Sequence, residues 1–294
     1  MGRLRVNFLS EPDIGPLSRR GTELLDDDTT DWRPHQRAIE VLEHAVAAGE
    51  PEAARLLARG YIERGQLIEA QELLAPLVIG GRTDLAGVLA DVLADLGATD
   101  EAESAYRMAI TEDDSQVMNN FALFLAEQGR LEEAVAMFER AVELGDTLAP
   151  ANLARTQLHD LHDVAAAQAV AEHHLDAAKP TTYCALAEVF TELGRQEEAE
   201  QLLRTAIELG AQQAHINYAM FLHHSRSDLA AAEREYRLAK ELDEPSWGYH
   251  LGAFLLDHGD EDEAAQVLEQ AAYWGDLDAR LLLDTEFEPV ADPP

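Results

Sequence analysis

Small and large apolar residues return along this chain at an almost fixed interval. Ala38, Ala70, Ala102, Ala134, Ala166, Ala199, Ala232 and Ala264 are separated by 32 or 33 residues. Four positions after each stands a larger apolar residue: Leu42, Leu74, Tyr106, Phe138, Val170, Leu203, Tyr236 and Leu268. Three further on comes another alanine at Ala45, Ala109, Ala141, Ala206, Ala239 and Ala271, with Leu77 and His173 as exceptions. Offsets of four and seven lie on one face of a helix. A repeat of this length is one supersecondary piece, unable to bury its apolar face without a neighbour.

The stretch before each of these helices is periodic too. LLARGY (56–61), VLADVL (88–93), NFALFL (120–125), LAEVF (186–190) and LGAFLL (251–256) each give apolar residues around a small one. Gly65, Gly97, Gly129, Gly194 and Gly259 follow, where a helix must stop and turn. Each repeat therefore reads helix A, tight turn, helix B. Small residues let the two helices approach closely. Pro51, Pro180 and Pro245 stand near the starts of helices A, where a missing N–H costs nothing.

The repeats fall at 51–82, 83–114, 115–146, 147–179, 180–212, 213–244 and 245–276. A lone helix B (34–48) precedes them and a terminal helix (277–284) follows, which makes sixteen helices. Helices B are predicted to begin near Leu67, Asp100, Leu131, Asp163, Glu197, Ala230 and Glu261. One continuous register predicts a single elongated domain over 31–286, held by nearest-neighbour interfaces. Residues 1–30 and 287–294 lack the period and are predicted to be disordered, apart from a strand-like LRVNFL (4–9). Pro76, inside a helix B, predicts a kink or early end with a turn at Gly80–Gly81. The fourth repeat has Leu161 where glycine is expected and Gln157 where its siblings are apolar. The sixth has an extra residue around Ser225–Asp228. His173 stands in a column otherwise filled by alanine or leucine: buried there, its ring would need a partner and its protonation would loosen this repeat first, and the alternative is a degenerate repeat that packs less well.

The stretch NNFALFLAEQGRLEEAVAMFERAVELGD (119–146), and nearly as fully LAEVFTELGRQEEAEQLLRTAIELG (186–210), resembles the tetratricopeptide repeat family. The resemblance covers residues 51–276, with half-units on both sides. It implies an all-α, right-handed α-solenoid of helix-turn-helix repeats. As a guide to function it is weak, because one fold hosts many partners.

The formal net charge is −35, from 57 acidic and 22 basic residues. Lys179 and Lys240 are the only lysines. This balance opposes nucleic acid and anionic membranes. It favours a partner with a basic segment, although a solvated surface that keeps an alanine-rich solenoid soluble accounts for it as well. Arginine preferred over lysine, with much alanine, fits a high-GC bacterial genome or a salt-adapted one. No apolar run reaches the length of a membrane span or a secretory core, and Cys184 is alone. A cytoplasmic location is the default expectation.

Helices A of a solenoid line its concave face, the usual ligand surface. One column of that face reads Leu56, Val88, Asn120, Asn152, Ala185, Asn217 and His250. Helix propensity does not explain a recurrent asparagine. Its amide offers a donor and an acceptor together, matching extended peptide backbone. The resemblance implies the same, because this column contacts peptide main chain in the family. Asn120, Asn152 and Asn217 are therefore candidate contacts, with His250; bonds to neighbouring helices are the alternative. Arg55, Arg59 and Arg155 could hold a carboxylate, against the alternative of ordinary salt bridges. The family's clamp for a C-terminal carboxylate needs lysines that these helices lack.

Catalysis finds little support: no phosphate loop, G-x-S-x-G, H-E-x-x-H or C-x-x-C is present. The pairs His173–His174 and His223–His224, with His159 and His162, invite a metal reading, but adjacent histidines diverge by about 100° on a helix. The expectation is no cofactor, no metal and no enzyme. Three functions remain in view. One is an adaptor gripping a peptide or helical segment of another protein. The second is a scaffold that self-associates, with Tyr273 and Trp274 as an exposed patch. The third is an enzyme using groove histidines and carboxylates.

Overall fold

The computed structural model describes residues 15–25, 32–50, 52–110 and 114–287. The expectations for LRVNFL, Pro51 and the final residues 288–294 lie outside these. Among the described residues there are seventeen α-helices and no strand. They are α1 Pro16–Leu25, α2 Trp32–Ala47, α3 Ala53–Glu63, α4 Leu67–Ile79, α5 Ala86–Asp95, α6 Thr99–Ala109, α7 Ser115–Glu127, α8 Leu131–Glu143 and α9 Ala149–Arg155. After these come α10 Val164–His173, α11 Thr181–Glu192, α12 Gln196–Glu208, α13 Ala214–Phe221, α14 Leu229–Glu241, α15 Trp247–His258, α16 Glu261–Tyr273 and α17 Leu277–Glu286. Helices A carry odd numbers and helices B even numbers from α1 to α16. The described chain divides into two compact bodies. The N-terminal body holds residues up to 110 with 273–275, and the C-terminal body holds 114–272 with 276–287.

The alanine register marks where helix B meets its neighbours. Ala38, Ala70, Ala102, Ala134, Ala199, Ala232 and Ala264 are all 0 % exposed. Leu42, Leu74, Tyr106, Phe138, Leu203, Tyr236 and Leu268 beside them are buried as well. The fourth repeat departs by one residue. There Ala167 and Ala171 are buried, while Ala166 and Val170 are half-buried and His173 is exposed. The cause is a π-helical turn over Thr156–Asp160 at the end of α9, which adds one residue to that helix. Leu158 is buried in place of Gln157. A second π-helical turn, over Leu222–Arg226, ends α13 and absorbs the extra residue of the sixth repeat. With Ala167 restored to the register, the two 33-residue intervals are those that contain a π-turn. Both turns then close through a left-handed non-glycine, His162 (φ 55) or Ser227 (φ 54), in place of the glycine used elsewhere.

Four of the expected A–B turns do use a left-handed glycine, at Gly65, Gly97, Gly129 and Gly194. Gly259 turns at φ −124 instead. The helix through Pro76 does not end early. It runs to Ile79, and only then does the left-handed Gly81 close the turn, with the Arg82 N–H donating to the Leu77 carbonyl. Proline removes one ladder donor, and the packing of Leu74 and Val78 carries the helix past it.

Part of the segment expected to be disordered is helix α1, which completes an eighth A–B pair with α2. Pro16 opens it at the first position. The Glu50 carboxylate accepts from the Leu17 N–H (3.2 Å), the Ser18 N–H (2.8 Å) and the Ser18 hydroxyl (2.8 Å). Gly21 lies so close to Leu42 that a Cβ there would stand 2.4 Å from its Cγ. Composition counts that glycine as a breaker, whereas here it permits contact. The Glu50 device recurs. Glu244, just after α14, accepts from the His215 and Ile216 N–H groups at the start of α13. Asp276, after α16, accepts from the Tyr249 N–H near the start of α15 and from the Ala279 N–H of α17. In three pairs an acidic residue after helix B thus satisfies the orphan donors of its own helix A, where negative charge is favoured. Some of the acidic excess is structural.

Candidate functional site

On every helix A, the asparagine column and the positions three and seven residues later share one face. In the C-terminal body this face carries Asn120, Leu123 and Glu127 on α7, then Asn152, Arg155 and His159 on α9 and its π-turn. It continues with Ala185, Glu188 and Glu192 on α11, Asn217, Met220 and His224 on α13 and its π-turn, and His250, Ala253 and Asp257 on α15. Glu127, Glu192, Met220, His224 and Asp257 are exposed.

Arg155 organises the middle of this face. Its Nε and Nη2 donate to Glu188 Oε1 at 2.8 and 2.7 Å, and Nη2 also donates to Asn217 Oδ1 at 3.2 Å. His159 Nε2 lies 2.9 Å from the other Glu188 oxygen, Oε2. Desolvation would raise the Glu188 carboxyl, but Arg155 and His159 hold it below its ordinary value. The bond to Glu188 in turn raises the His159 imidazole, against partial desolvation. Asn217 donates to the Gln213 carbonyl at 2.6 Å, so its amide is oriented from both ends. One arginine thereby ties residues of three successive helices A into a node that is partly open to water.

The other candidates divide. Asn120 is half-buried, and its Oδ1 accepts from Asn119 Nδ2 at 3.4 Å. Asn152 does not point into a groove. It is 6 % exposed and donates to Asn119 Oδ1 at 2.9 Å, a buried amide pair between α9 and α7. A buried polar group must find a partner, and this one found it on the neighbouring helix A. Asn119 escaped notice in the sequence because it precedes the column, although a polar pair 33 residues apart was its signal. His250 is part-buried, and burial pushes it down to about 4, so it is neutral at pH 7. In the N-terminal body, Arg55 Nε donates to Glu52 at 3.0 Å and its Nη2 to the Asp84 carbonyl at 2.5 Å. Arg59 donates to Glu63, four residues on, at 2.6 Å. Both make the structural salt bridges that were the alternative to carboxylate binding.

His173 faces solvent with its ring 4.7 Å from that of His174, so it is no buried switch. Cys184 is buried, and desolvation pushes its thiol up to about 12, which leaves it inert at neutral pH. Tyr273 is 50 % exposed and Trp274 packs edge-on to it at 5.4 Å. Among the described residues, no group of three or more His, Cys, Asp or Glu is placed to hold a metal, and no helix is long and apolar enough to cross a membrane. His258 was not foreseen. Its Nε2 lies 2.8 Å from His223 Nε2, on a neighbouring helix A.

Tetratricopeptide repeat models match residues 51–76, 116–145 and 180–211. A comparison with curated proteins finds no match. Among solved structures, yeast Tom70 is similar with a TM-score of 0.61 at 16% identity, over 96% of this chain and 66% of that one. The chain thus spans about two thirds of the yeast protein. Human IFIT1, in a dimer with PPP-AAAA, gives 0.54 at 16% identity, over 87% of this chain and 72% of that one. A tetratricopeptide repeat protein of Parabacteroides merdae gives 0.50 at 16% identity, over 79% and 97%. At such identities the likeness speaks for the fold. Three separate repeat matches, on a register of buried alanines that continues between them, identify the chain as a tetratricopeptide repeat protein.

Proposed function

We propose that the protein is a non-enzymatic adaptor whose C-terminal body grips a basic peptide segment of another protein on its helix A face. Repeats of this family generally mediate protein–protein interaction. The observation that carries the reading is the composition of that face. Exposed Glu127, Glu192 and Asp257 line one edge of a face that also carries apolar Leu123 and Met220 and the half-buried amides of Asn120 and Asn217. Arg155 spends its charge internally on Glu188, so it stiffens the face without making it basic. Apolar spots give a peptide area to bury, amides read its backbone, and the acidic rim selects its charge. His250, neutral at pH 7, can accept or donate a hydrogen bond at the far end. Of the first set of candidates, Asn120, Asn217, Arg155 and His250 keep a place at this face, while Asn152, Arg55 and Arg59 act in the scaffold.

A nucleic acid would need a basic face, so the PPP-AAAA held by human IFIT1 does not transfer to a chain of net charge −35. The test is selection of binders from a displayed library of random peptides on the whole protein. Binders should be enriched in Lys and Arg. Their affinity should fall at least tenfold in a variant combining Asn217→Ala with Glu192→Lys, with helix content unchanged. Selected peptides without basic residues, or indifferent to that variant, would overturn the reading.

A further inference from the structure

We propose that His223 and His258 form a two-imidazole site for a divalent transition-metal ion of the Cu2+ or Ni2+ type, independent of peptide binding. His223 belongs to the π-helical turn Leu222–Arg226 and His258 ends α15. Turns of this kind occur often at functional sites. The two Nε2 atoms stand 2.8 Å apart. Two nitrogens bound cis, at about 90° and ~2.0–2.1 Å from a metal, are about 2.8–3.0 Å apart, which is the spacing of a square-planar or octahedral site. Tetrahedral zinc would need them wider. Among the described residues no third His, Cys, Asp or Glu joins them in a ligating group, so water fills the remaining positions.

The rings are held before any ion arrives. Buried Phe254 meets His223 edge-on with centroids 5.3 Å apart, and His224 stacks on His223 at 4.1 Å. His258 is exposed, which leaves an entry path. Asp257, Asp260, Glu261 and Asp262, next to it in the sequence, concentrate cations, while imidazole selects transition ions over Mg2+ and Ca2+. The same 2.8 Å suits a hydrogen bond between two neutral rings. On that account the pair is only a strut between the sixth and seventh repeats; on ours the donating ring carries its proton on Nδ1 instead, so that both rings stay neutral and the two Nε2 lone pairs meet the metal.

The experiment uses the full chain without an affinity tag, cleared of metal with EDTA, at pH 7.5 in a buffer that does not bind copper. Titration with CuCl2 should show one Cu2+ per chain in the micromolar range, with an electron paramagnetic resonance spectrum that carries coupling from two imidazole nitrogens. His258→Gln should weaken binding at least tenfold and remove one nitrogen from the spectrum. His173→Gln with His174→Gln should change nothing, and MgCl2 should not compete. Because His258 is exposed, its variant keeps the fold even if His223→Gln does not. Parent-like copper affinity in His258→Gln, or no copper bound by the parent, would overturn the proposal and leave the pair a hydrogen-bonded strut.

Discussion

Buried amides and half-buried charges settle what single residues do here. Asn119 is 0 % exposed and receives its bond from Asn152. Replacing Asn152 by Ala leaves the Asn119 carbonyl oxygen without that donor, which costs about 1–3 kcal/mol. Asn152→Ala should therefore lower the urea midpoint, whereas Asn217→Ala, part-exposed, should cost less than 1 kcal/mol or so and act on peptide binding. Equal urea midpoints for Asn152→Ala and the parent would return Asn152 to the groove. His159 gives a second test. Its pKa is raised above 6.5 in the folded chain by Glu188. A raised histidine contributes stability in full below its unfolded value and loses it as pH rises through the folded value. Glu188, held below 4.5, behaves in the opposite sense and loses its contribution as pH falls through its lowered value. The difference in melting temperature between the parent and His159→Gln should be largest near pH 6 and shrink towards pH 9. The side chain of His159 is 45% exposed, so the gain should stay within ~1 kcal/mol. A difference that grows with pH would show that the bond to Glu188 is not charge-assisted.

Elements obey the repeat more strictly than the sequence shows on its face. The positions of helices B were legible because alanine at a 32-residue spacing has one physical use, a close seam between helices. The slip in the fourth repeat was not legible. Ala165, Ala166 and Ala167 are identical in type, and only the π-turn before them decides which faces inward. Helix α1 was hidden for a related reason: its apolar face is small, and what holds it is distant in sequence, namely the Glu50 carboxylate, the Gly21–Leu42 contact and the packing of Leu25 against Ile39, Leu42, Leu56 and Leu57. Of the candidate site, the charges of α9 and α11 were visible as a list, but their joining through Arg155 depends on how successive helices A pack. Glycines within helices A state the packing most sharply. A Cβ on Gly248 would lie 1.9 Å from the Ala271 Cβ, an atom fixed to the backbone of α16. Rotamer changes cannot relieve that overlap, so α15 must shift. Gly248→Ala should destabilise the last repeat by about 1–3 kcal/mol, despite the ~1 kcal/mol that alanine gains over glycine in a helix. Hydrogen exchange should report the loss first in α15 and α16. Unchanged protection there would mean the two helices pack less tightly than their contact implies.

At the scale of the whole chain, charge is the dominant variable. Of 57 acidic residues, some cap helices A and others pair with arginine, as Glu188 does with Arg155 and Glu263 with Arg237. With 22 basic residues in all, most carboxylates have no cation to share. Salt acts on the two groups oppositely. It weakens surface ion pairs worth ~0–1 kcal/mol each, and it screens repulsion summed over a net charge of −35. Many of the pairs lie three or four residues apart along the chain, as Arg107–Glu103 and Arg204–Glu200 do on one helix, where such a pair contributes only about 0.3–0.5 kcal/mol. Repulsion therefore wins. Raising NaCl from about 20 to about 500 mM shortens the Debye length about fivefold and should raise the melting temperature by about 2–4 °C per kcal/mol of repulsion relieved. The same change should weaken a basic peptide on the helix A face, because attraction between opposite charges is screened together with repulsion between like ones. Stability and affinity should thus move in opposite directions with salt. A melting temperature that falls with salt would mean the ion pairs outweigh the excess charge. An affinity that does not fall would mean the acidic rim takes no part in recognition.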